Sequence, residues 1–127
     1  MRWVRTIEGI YLNVNQIAYI LDEEMSDRGT CNITAYMSDG KNFVLTHKSD
    51  TMDFSLQNGK EETRGLDDEM HDIFIRVLIG LITSPNLETS LDMDDLMHVA
   101  YAETQFEIER KFNWTKEGWK RKKPLIF

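Results

Sequence analysis

The sequence predicts a single α+β domain in which an antiparallel β-meander packs against helices. Residues 2–57 consist of short runs rich in β-branched and aromatic residues separated by turn signals, a pattern typical of about four to five strands. Residues 66–83 and 92–112 instead place apolar side chains at helical spacing. A chain of 127 residues with 41% hydrophobic and 29% charged residues can form one globular core. We expect one domain over residues 1–113 and a basic, aromatic C-terminal arm over residues 114–127.

The strands are expected in chain order where apolar and polar residues alternate. The strand-like runs are Trp3–Ile7, Ile10–Val14, Ile17–Leu21, Thr30–Met37, Asn42–His47 and Met52–Leu56. Asp39-Gly40 predicts a two-residue hairpin in which both central residues have positive φ. Met25–Gly29 is expected to be a polar loop and Gln57–Lys60 a further turn. Cys31 lies on the apolar side of its run and is interpreted as a packed sheet residue.

An apolar helix is predicted over residues 66–83, with a central buried strand as the alternative. The acids at positions 67–69 suit the positive end of a helix dipole, and Ser84-Pro85 is a helix stop signal. The segment is apolar almost all round and contains Gly80, which costs a helix about 1 kcal/mol. These two features keep the strand alternative open.

A second helix is predicted over residues 92–112, with Ser90 or Asp92 as its N-cap. Thr104–Phe112 also alternates like a strand, so the end of this helix is left open.

Residues 2–83 resemble a group of small bacterial proteins of unknown activity. These proteins share a W-x-R-T-x-x-G turn, an N-x-x-x-I-x-x-I strand, a hairpin that contains D-G, and a closing apolar helix. The matching stretches here are Trp3–Gly9, Asn13–Ile20, Ala35–Gly40 and Asp68–Ile82. The resemblance implies a curved β-meander covered by a helix, in a protein of bacterial or phage origin. It implies no activity and transfers no functional residue.

The C-terminal segment carries a charge opposite to that of the rest of the chain. Residues 110–127 hold seven Lys or Arg and one acid, a net charge of +6, whereas residues 1–109 hold eight bases and 21 acids, a net charge of −13. Such a segment usually contacts something anionic. The candidate partner-binding residues are Trp114, Lys116, Trp119, Lys120, Arg121, Lys122 and Lys123. We expect them to contact the acidic body of the same chain or of a second copy, with nucleic acid as the alternative.

The sequence offers one weak candidate for a metal site. The pattern D-D-x-M-H occurs twice and would supply Asp67, His71, Asp94 and His98. Acids in a first helical turn also have a purely structural explanation, since they favour the helix dipole. No metal, cofactor or catalytic residue is therefore predicted. Asp22-Glu23-Glu24 and the acids between positions 61 and 69 are interpreted as solvated loops and helix starts.

We therefore expect a non-catalytic interaction or structural protein that forms a homo-oligomer. Ile75, Ile79 and Ile82 leave more apolar surface than one small sheet covers. The alternatives are an accessory protein that binds or mimics nucleic acid, and a metal-dependent enzyme at the paired D-D-x-M-H sites. The N-terminus lacks the apolar stretch of a signal peptide, and the longest apolar run, Ile73–Ile82, is too short to span a membrane. These features indicate a cytoplasmic protein that does not associate with membranes.

Overall fold

A computed structural model describes residues 2–25, 30–55, 59–84 and 90–123, which contain ten strands, two α-helices and one turn of 3-10 helix, Val14–Gln16. The strands are β1 (Trp3–Arg5), β2 (Tyr11–Asn13), β3 (Ile17–Met25), β4 (Thr30–Met37), β5 (Asn42–Ser49), β6 (Thr51–Ser55), β7 (Glu61–Gly65), β8 (Ser90–Asp92), β9 (Phe112–Thr115) and β10 (Gly118–Arg121). The helices are α1 (Asp68–Thr83) and α2 (Met93–Lys111). The predicted α+β class is confirmed.

The N-terminal hairpin is extended by a strand from the second half of the chain. β1 pairs with β2 in antiparallel orientation, with Val4 opposite Leu12. It pairs on its other edge with β8 in parallel orientation, with Val4 opposite Leu91. The Arg5 guanidinium contacts Asp92 at 3.1 Å, while the other oxygen of Asp92 accepts the Asp94 amide proton at 2.9 Å and caps α2. β8 was not predicted from the sequence.

The central sheet is the antiparallel meander β3-β4-β5. Its second hairpin closes where Asp39-Gly40 predicts a turn. Of the two central residues, only Gly40 has a positive φ, of 89°. The Gly40 amide donates a hydrogen bond to the Met37 carbonyl at 3.0 Å, and the Met37 amide donates to the Lys41 carbonyl at 2.8 Å. The loop therefore has three residues, a turn followed by a left-handed glycine, rather than the two-residue turn expected.

A β-bulge in β5 decides which of its residues face inward. Ile33 pairs with Thr46, but the next residue, Thr34, pairs with Val44, so Leu45 is an extra residue on β5. Such a bulge shifts the inward and outward alternation by one position. Beyond it Thr46 and Lys48 are buried, and His47 between them is exposed.

Both predicted helices form, close to their predicted bounds. The Asp67 side chain caps α1 by accepting the Met70 amide proton at 3.1 Å, which favours the helix over the strand alternative. α1 buries four residues at four-residue spacing, Met70, Phe74, Leu78 and Ile82, and packs against α2. Asp92 caps α2, which remains helical through Lys111 before the chain becomes strand β9. The core lies between the helix pair and the sheets.

The predicted C-terminal arm is a β-hairpin over part of its length. β9 and β10 pair in antiparallel orientation, with Trp114 opposite Trp119. The Trp119 ring packs edge-on against Phe54 at 4.9 Å between centroids, and its Nε1 donates to the Gly65 carbonyl at 2.9 Å. The hairpin thus lies on β6 and β7 of the same chain.

The structure corrects several of the sequence interpretations. Six strands, rather than four to five, begin within residues 2–57, and they divide among separate small sheets. Asp22-Glu23-Glu24 belongs to β3, and residues 61–65 form β7, so neither is the solvated loop that was expected. The loop at residues 26–29, the turn positions 57 and 58, and Pro85 lie outside the described residues. Within the described residues, no helix is long and apolar enough to cross a membrane.

Candidate functional site

A cavity of about 700 Å³ lies between the central sheet and the first half of α1. Its apolar lining includes Ile20, Leu21, Leu66 and Ile75. Its polar lining comprises Asp22, Cys31, Asp50, Thr51, Asp68, His71 and Asp72. Four carboxylates and one imidazole therefore face a single cavity, which gives it an acidic character.

The floor of this region contains a fully buried lysine. The Lys48 side chain is 0% exposed, and its Nζ lies 3.2 Å from Asp22 Oδ2 and contacts His71 Nδ1. The Nζ atom also lies 5.4 Å from the centroid of the Phe74 ring. An ammonium group removed from water needs nearby negative charge, which Asp22 supplies, and the aromatic face adds a favourable interaction. Strands β3 and β5 and helix α1 each contribute to this cluster.

His71 lies between the buried ion pair and the cavity. Its Nδ1 is 3.7 Å from Asp22 Oδ2, and its Nε2 is 3.7 Å from Asp50 Oδ1. The Asp67 cap fixes the start of α1, and His71 follows one turn later on the side that faces the sheet. The backbone carbonyl of Asp50 accepts the Leu66 amide proton at 2.9 Å, which holds the entry of α1 near the end of β5.

Cys31 is buried opposite Lys48 in the sheet and donates its thiol proton to Asp50 Oδ1 at 3.2 Å. Burial, followed by the hydrogen bond to Asp50 and the negative charge of Asp22, raises the pKa of the Cys31 thiol from 9.0 to about 12. A thiol with this pKa is protonated at neutral pH and is a poor nucleophile. The side chain therefore does not fit the role of a catalytic cysteine acting on its own.

The cluster contains three potential metal ligands from three different elements. One ligand atom each from Asp22, Cys31 and His71 lies within 4.8 Å of the other two. Both Asp22 carboxylate oxygens are buried, and Oδ2 lies 3.2 Å from the Lys48 ammonium. Neither Asp22 nor Cys31 was a sequence candidate, because no spacing in the sequence links positions on β3, β4 and α1.

The paired D-D-x-M-H pattern does not assemble as one site. Of its four candidates only His71 belongs to the cluster just described. Asp67 is the cap of α1. Asp94 and His98 lie exposed on α2. The acids of both patterns are thus explained by helix capping and by the first helical turn.

A free strand edge borders the cavity. β3 pairs with β4 on one side only, and the backbone bonds of the described residues include none to its other edge. Ile20 and Asp22 face α1, whereas Tyr19 and Leu21, which alternate with them, are 52% and 45% exposed. Ile75 of α1 lines the same cavity as Ile20 and Leu21, so strand edge and helix form one continuous surface.

The C-terminal candidates lie on the β9–β10 hairpin, where aromatic contacts dominate. Arg64 stacks on both indoles, with its guanidinium carbon 5.0 Å from the Trp114 centroid and 5.5 Å from that of Trp119. Arg121 pairs with Glu69 on α1. The side chains of Lys116, Lys120, Lys122 and Lys123 are exposed; Lys120 pairs with Glu117, and Lys122 donates to the Glu109 carbonyl.

Comparison with known proteins finds no matching protein family, no matching curated protein and no matching solved structure. The resemblance to small bacterial proteins therefore stays a prediction.

Removing one member of the buried ion pair should destabilise the protein strongly. We expect Lys48→Ala to lower the free energy of unfolding by about 3–5 kcal/mol, because it leaves the Asp22 carboxylate buried without a counter-charge. The double variant Lys48→Met with Asp22→Leu should recover most of this loss. Urea denaturation measures both effects. Lys120→Ala, which breaks an exposed pair, is the control and should cost about 0–1 kcal/mol. A double variant as unstable as Lys48→Ala would contradict the electrostatic explanation.

The Cys31 thiol should react slowly in the folded protein. With a pKa of about 12 instead of 9.0, its thiolate fraction at pH 8 is about a thousandfold lower than that of an unfolded chain. Reaction with an aromatic disulfide reagent, with and without urea, measures this ratio. Because folding raises the pKa, the folded state binds the proton more tightly, and the associated stability is complete below pH 9 and decreases as pH rises toward 12. Cys31→Ser should lack this decrease, and equal pH profiles would refute the assignment.

Aromatic contacts, more than charge, should hold the C-terminal hairpin. Trp119→Ala should lower the free energy of unfolding by about 1–3 kcal/mol, since it removes the contacts with Phe54, Trp114 and Arg64. Lys122→Ala combined with Lys123→Ala should cost about 0–1 kcal/mol because both side chains are exposed. Thermal melting at low and high salt measures the difference. A larger effect for the lysine pair would show that charge dominates.

Proposed function

We propose that this protein is a cytoplasmic, non-catalytic interaction or structural protein that self-associates through the free edge of β3. One observation carries the proposal: β3 is a nine-residue edge strand with no partner on one side among the described residues. It also bears the exposed side chains of Tyr19 and Leu21. An exposed strand edge presents a row of unpaired amide and carbonyl groups, which can form hydrogen bonds with the same strand of a second copy.

The charges along β3 favour an antiparallel pair of copies. Residues 17–21 of the strand carry no charge, and the acids begin at Asp22. β3 has an irregularity at Ala18 in its pairing with β4, and an antiparallel pairing of residues 17–21 of two copies places the acids that begin at Asp22 at opposite ends of the paired segment. The acidic ends then point away from each other, so that the pairing brings no like charges together.

Helix α1 extends the same surface. Ile75 and Ile79 are half-buried, and Ile75 meets the strand edge at the cavity. Ile82, which the sequence interpretation also assigned to an uncovered surface, is only 1% exposed and belongs to the core. The apolar surface available to a second copy is thus smaller than expected and lies beside β3. A closed, two-fold contact of this kind is the commonest form of homo-oligomer.

Two further observations support a non-catalytic role. The Cys31 thiol remains protonated at neutral pH because its pKa is raised to about 12. Lys48, the other potential nucleophile of the cluster, is enclosed by Asp22, His71 and Phe74. Neither group is poised for attack on a substrate in the cavity.

Nucleic-acid binding is a second candidate, supported by the exposed lysines of the C-terminal hairpin. Trp114 and Trp119 pack on each other at 5.0 Å between centroids, and both contact Arg64. Indoles engaged in this way are less available to stack on bases, so that binding would depend mainly on Lys116, Lys122 and Lys123. Such binding would be steeply salt-dependent and independent of β3.

Self-association should respond to a charge placed on the strand edge. Leu21→Lys introduces one ammonium per copy within the paired segment and should weaken dimerisation by about a hundredfold or more. Sedimentation-velocity centrifugation over a range of concentrations measures the constant, and circular dichroism checks folding. Phe106→Lys is the matched control, because Phe106 is 65% exposed on α2 and lies away from β3. The proposal fails if the unmodified protein is monomeric at high concentration, or if both substitutions weaken association equally.

A further inference from the structure

We propose that Asp22, Cys31 and His71 bind a divalent transition-metal ion of the zinc class, at a site where the Lys48 ammonium is the alternative cation. The site does not rest on the self-association proposed above, because one copy contributes all three ligands. Its basis is the convergence of a carboxylate, a thiol and an imidazole from β3, β4 and α1.

The distances suit one metal ion. Ligands bound to zinc at about 2.0–2.3 Å in a tetrahedral arrangement lie about 3.3–3.8 Å from one another. Asp22 Oδ2 and His71 Nδ1 are already 3.7 Å apart, and all three donor atoms lie within 4.8 Å of one another. The three donor atoms are therefore within about 1 Å of tetrahedral spacing, and binding also requires the Lys48 ammonium to move out of its position beside Asp22 and His71.

The donor set selects the class of metal. Magnesium and calcium prefer sites composed of oxygen ligands, whereas sulfur and imidazole nitrogen favour zinc, cobalt and related ions. Three protein ligands leave one coordination position open, and Asp22, Cys31 and His71 all line the cavity. A water molecule or another small donor would occupy that position.

Lys48 shows that the site accepts a cation. Its Nζ lies 3.2 Å from Asp22 Oδ2 and contacts His71 Nδ1, so that it touches two of the three proposed ligands. Both Asp22 oxygens are buried, and the Lys48 ammonium is the charge that compensates them, so that an ion at this position would take over the role of that ammonium. A metal ion that bonds to Asp22 and His71 would displace the ammonium from this position.

The charge and proton changes on binding are balanced. With Asp22 and Asp50 ionised, Lys48 protonated and the other two groups neutral, the cluster carries a formal charge of about −1. When the ion binds, a metal–sulfur bond forms, and the Cys31 proton leaves to solvent past Asp50, which accepts the S–H and whose side chain is 37% exposed. Two positive charges enter with the metal ion and one leaves with the thiol proton, so that the cluster, which still includes the Lys48 ammonium, becomes neutral. No electron is transferred.

Cobalt(II) titration of the full-length protein tests the site, because Cys31 is the only cysteine in the chain. A thiolate-to-cobalt charge-transfer band can therefore come from this residue alone. We expect the band to appear on titration, to disappear when zinc is added in competition, and to be absent in Cys31→Ser. His71→Gln should weaken cobalt binding at least tenfold, whereas His98→Gln, which alters an exposed histidine outside the cluster, should leave it unchanged.

Lys48→Met separates the role of the ammonium from that of the ligands. Without the competing cation, cobalt should bind at least tenfold more tightly, and zinc should raise the melting temperature of this variant more than that of the unmodified protein. The proposal is overturned if neither the unmodified protein nor Lys48→Met shows a charge-transfer band at millimolar cobalt. It is equally overturned if Cys31→Ser and His71→Gln bind cobalt as the unmodified protein does, since the metal would then lie on surface carboxylates.

Discussion

The buried ammonium of Lys48 is the constraint on which the arrangement of this protein depends. A charge with no exposure to water is tolerated only where a counter-ion and polar partners are held close to it. Here the lysine lies on β5, its counter-ion Asp22 on β3, and its polar partner His71 on α1, so that all three elements must be held together. The requirement fixes the register of the central sheet relative to the helix, since sliding either by one residue would separate the charges. Apolar packing alone would specify this relation less sharply.

A second set of contacts attaches the C-terminal hairpin to β6, β7 and the first turn of α1. The charge difference between the two parts of the chain suggests attraction between opposite charges. The contacts are instead mainly aromatic: Trp119 packs on Phe54, and Arg64 stacks on both indoles. Arg64 Nε is buried without a hydrogen-bond acceptor among the described residues, so that stacking on the rings compensates part of the cost of removing it from water. Arg121 and Glu69 add one ion pair at the edge.

Features that depend on local chemistry could be predicted from the sequence, and features that depend on distant pairing could not. The caps of α1 and α2 and the glycine turn of the β4–β5 hairpin depend on residues only a few positions apart, and the structure contains all three. The inward position of Lys48 depends on the bulge at Leu45. In a strand without this bulge, the side on which Phe43 and Leu45 lie would also include His47, and Lys48 would point outward. Asp22 and Cys31 meet His71 only through the tertiary fold, which no spacing in the sequence records.

The parallel pairing of β1 with β8 has a consequence for the order of folding. Arg5 and Asp92 are 87 residues apart, and the chain between them includes the central sheet and the whole of α1. Joining such distant segments carries a large loop-closure entropy, which is recovered only after the intervening elements have become compact. During synthesis on the ribosome, β1 therefore acquires its second neighbour only after the central sheet and α1 have been made. Since Asp92 also begins α2, the completion of the N-terminal sheet and the start of the second helix are one cooperative event.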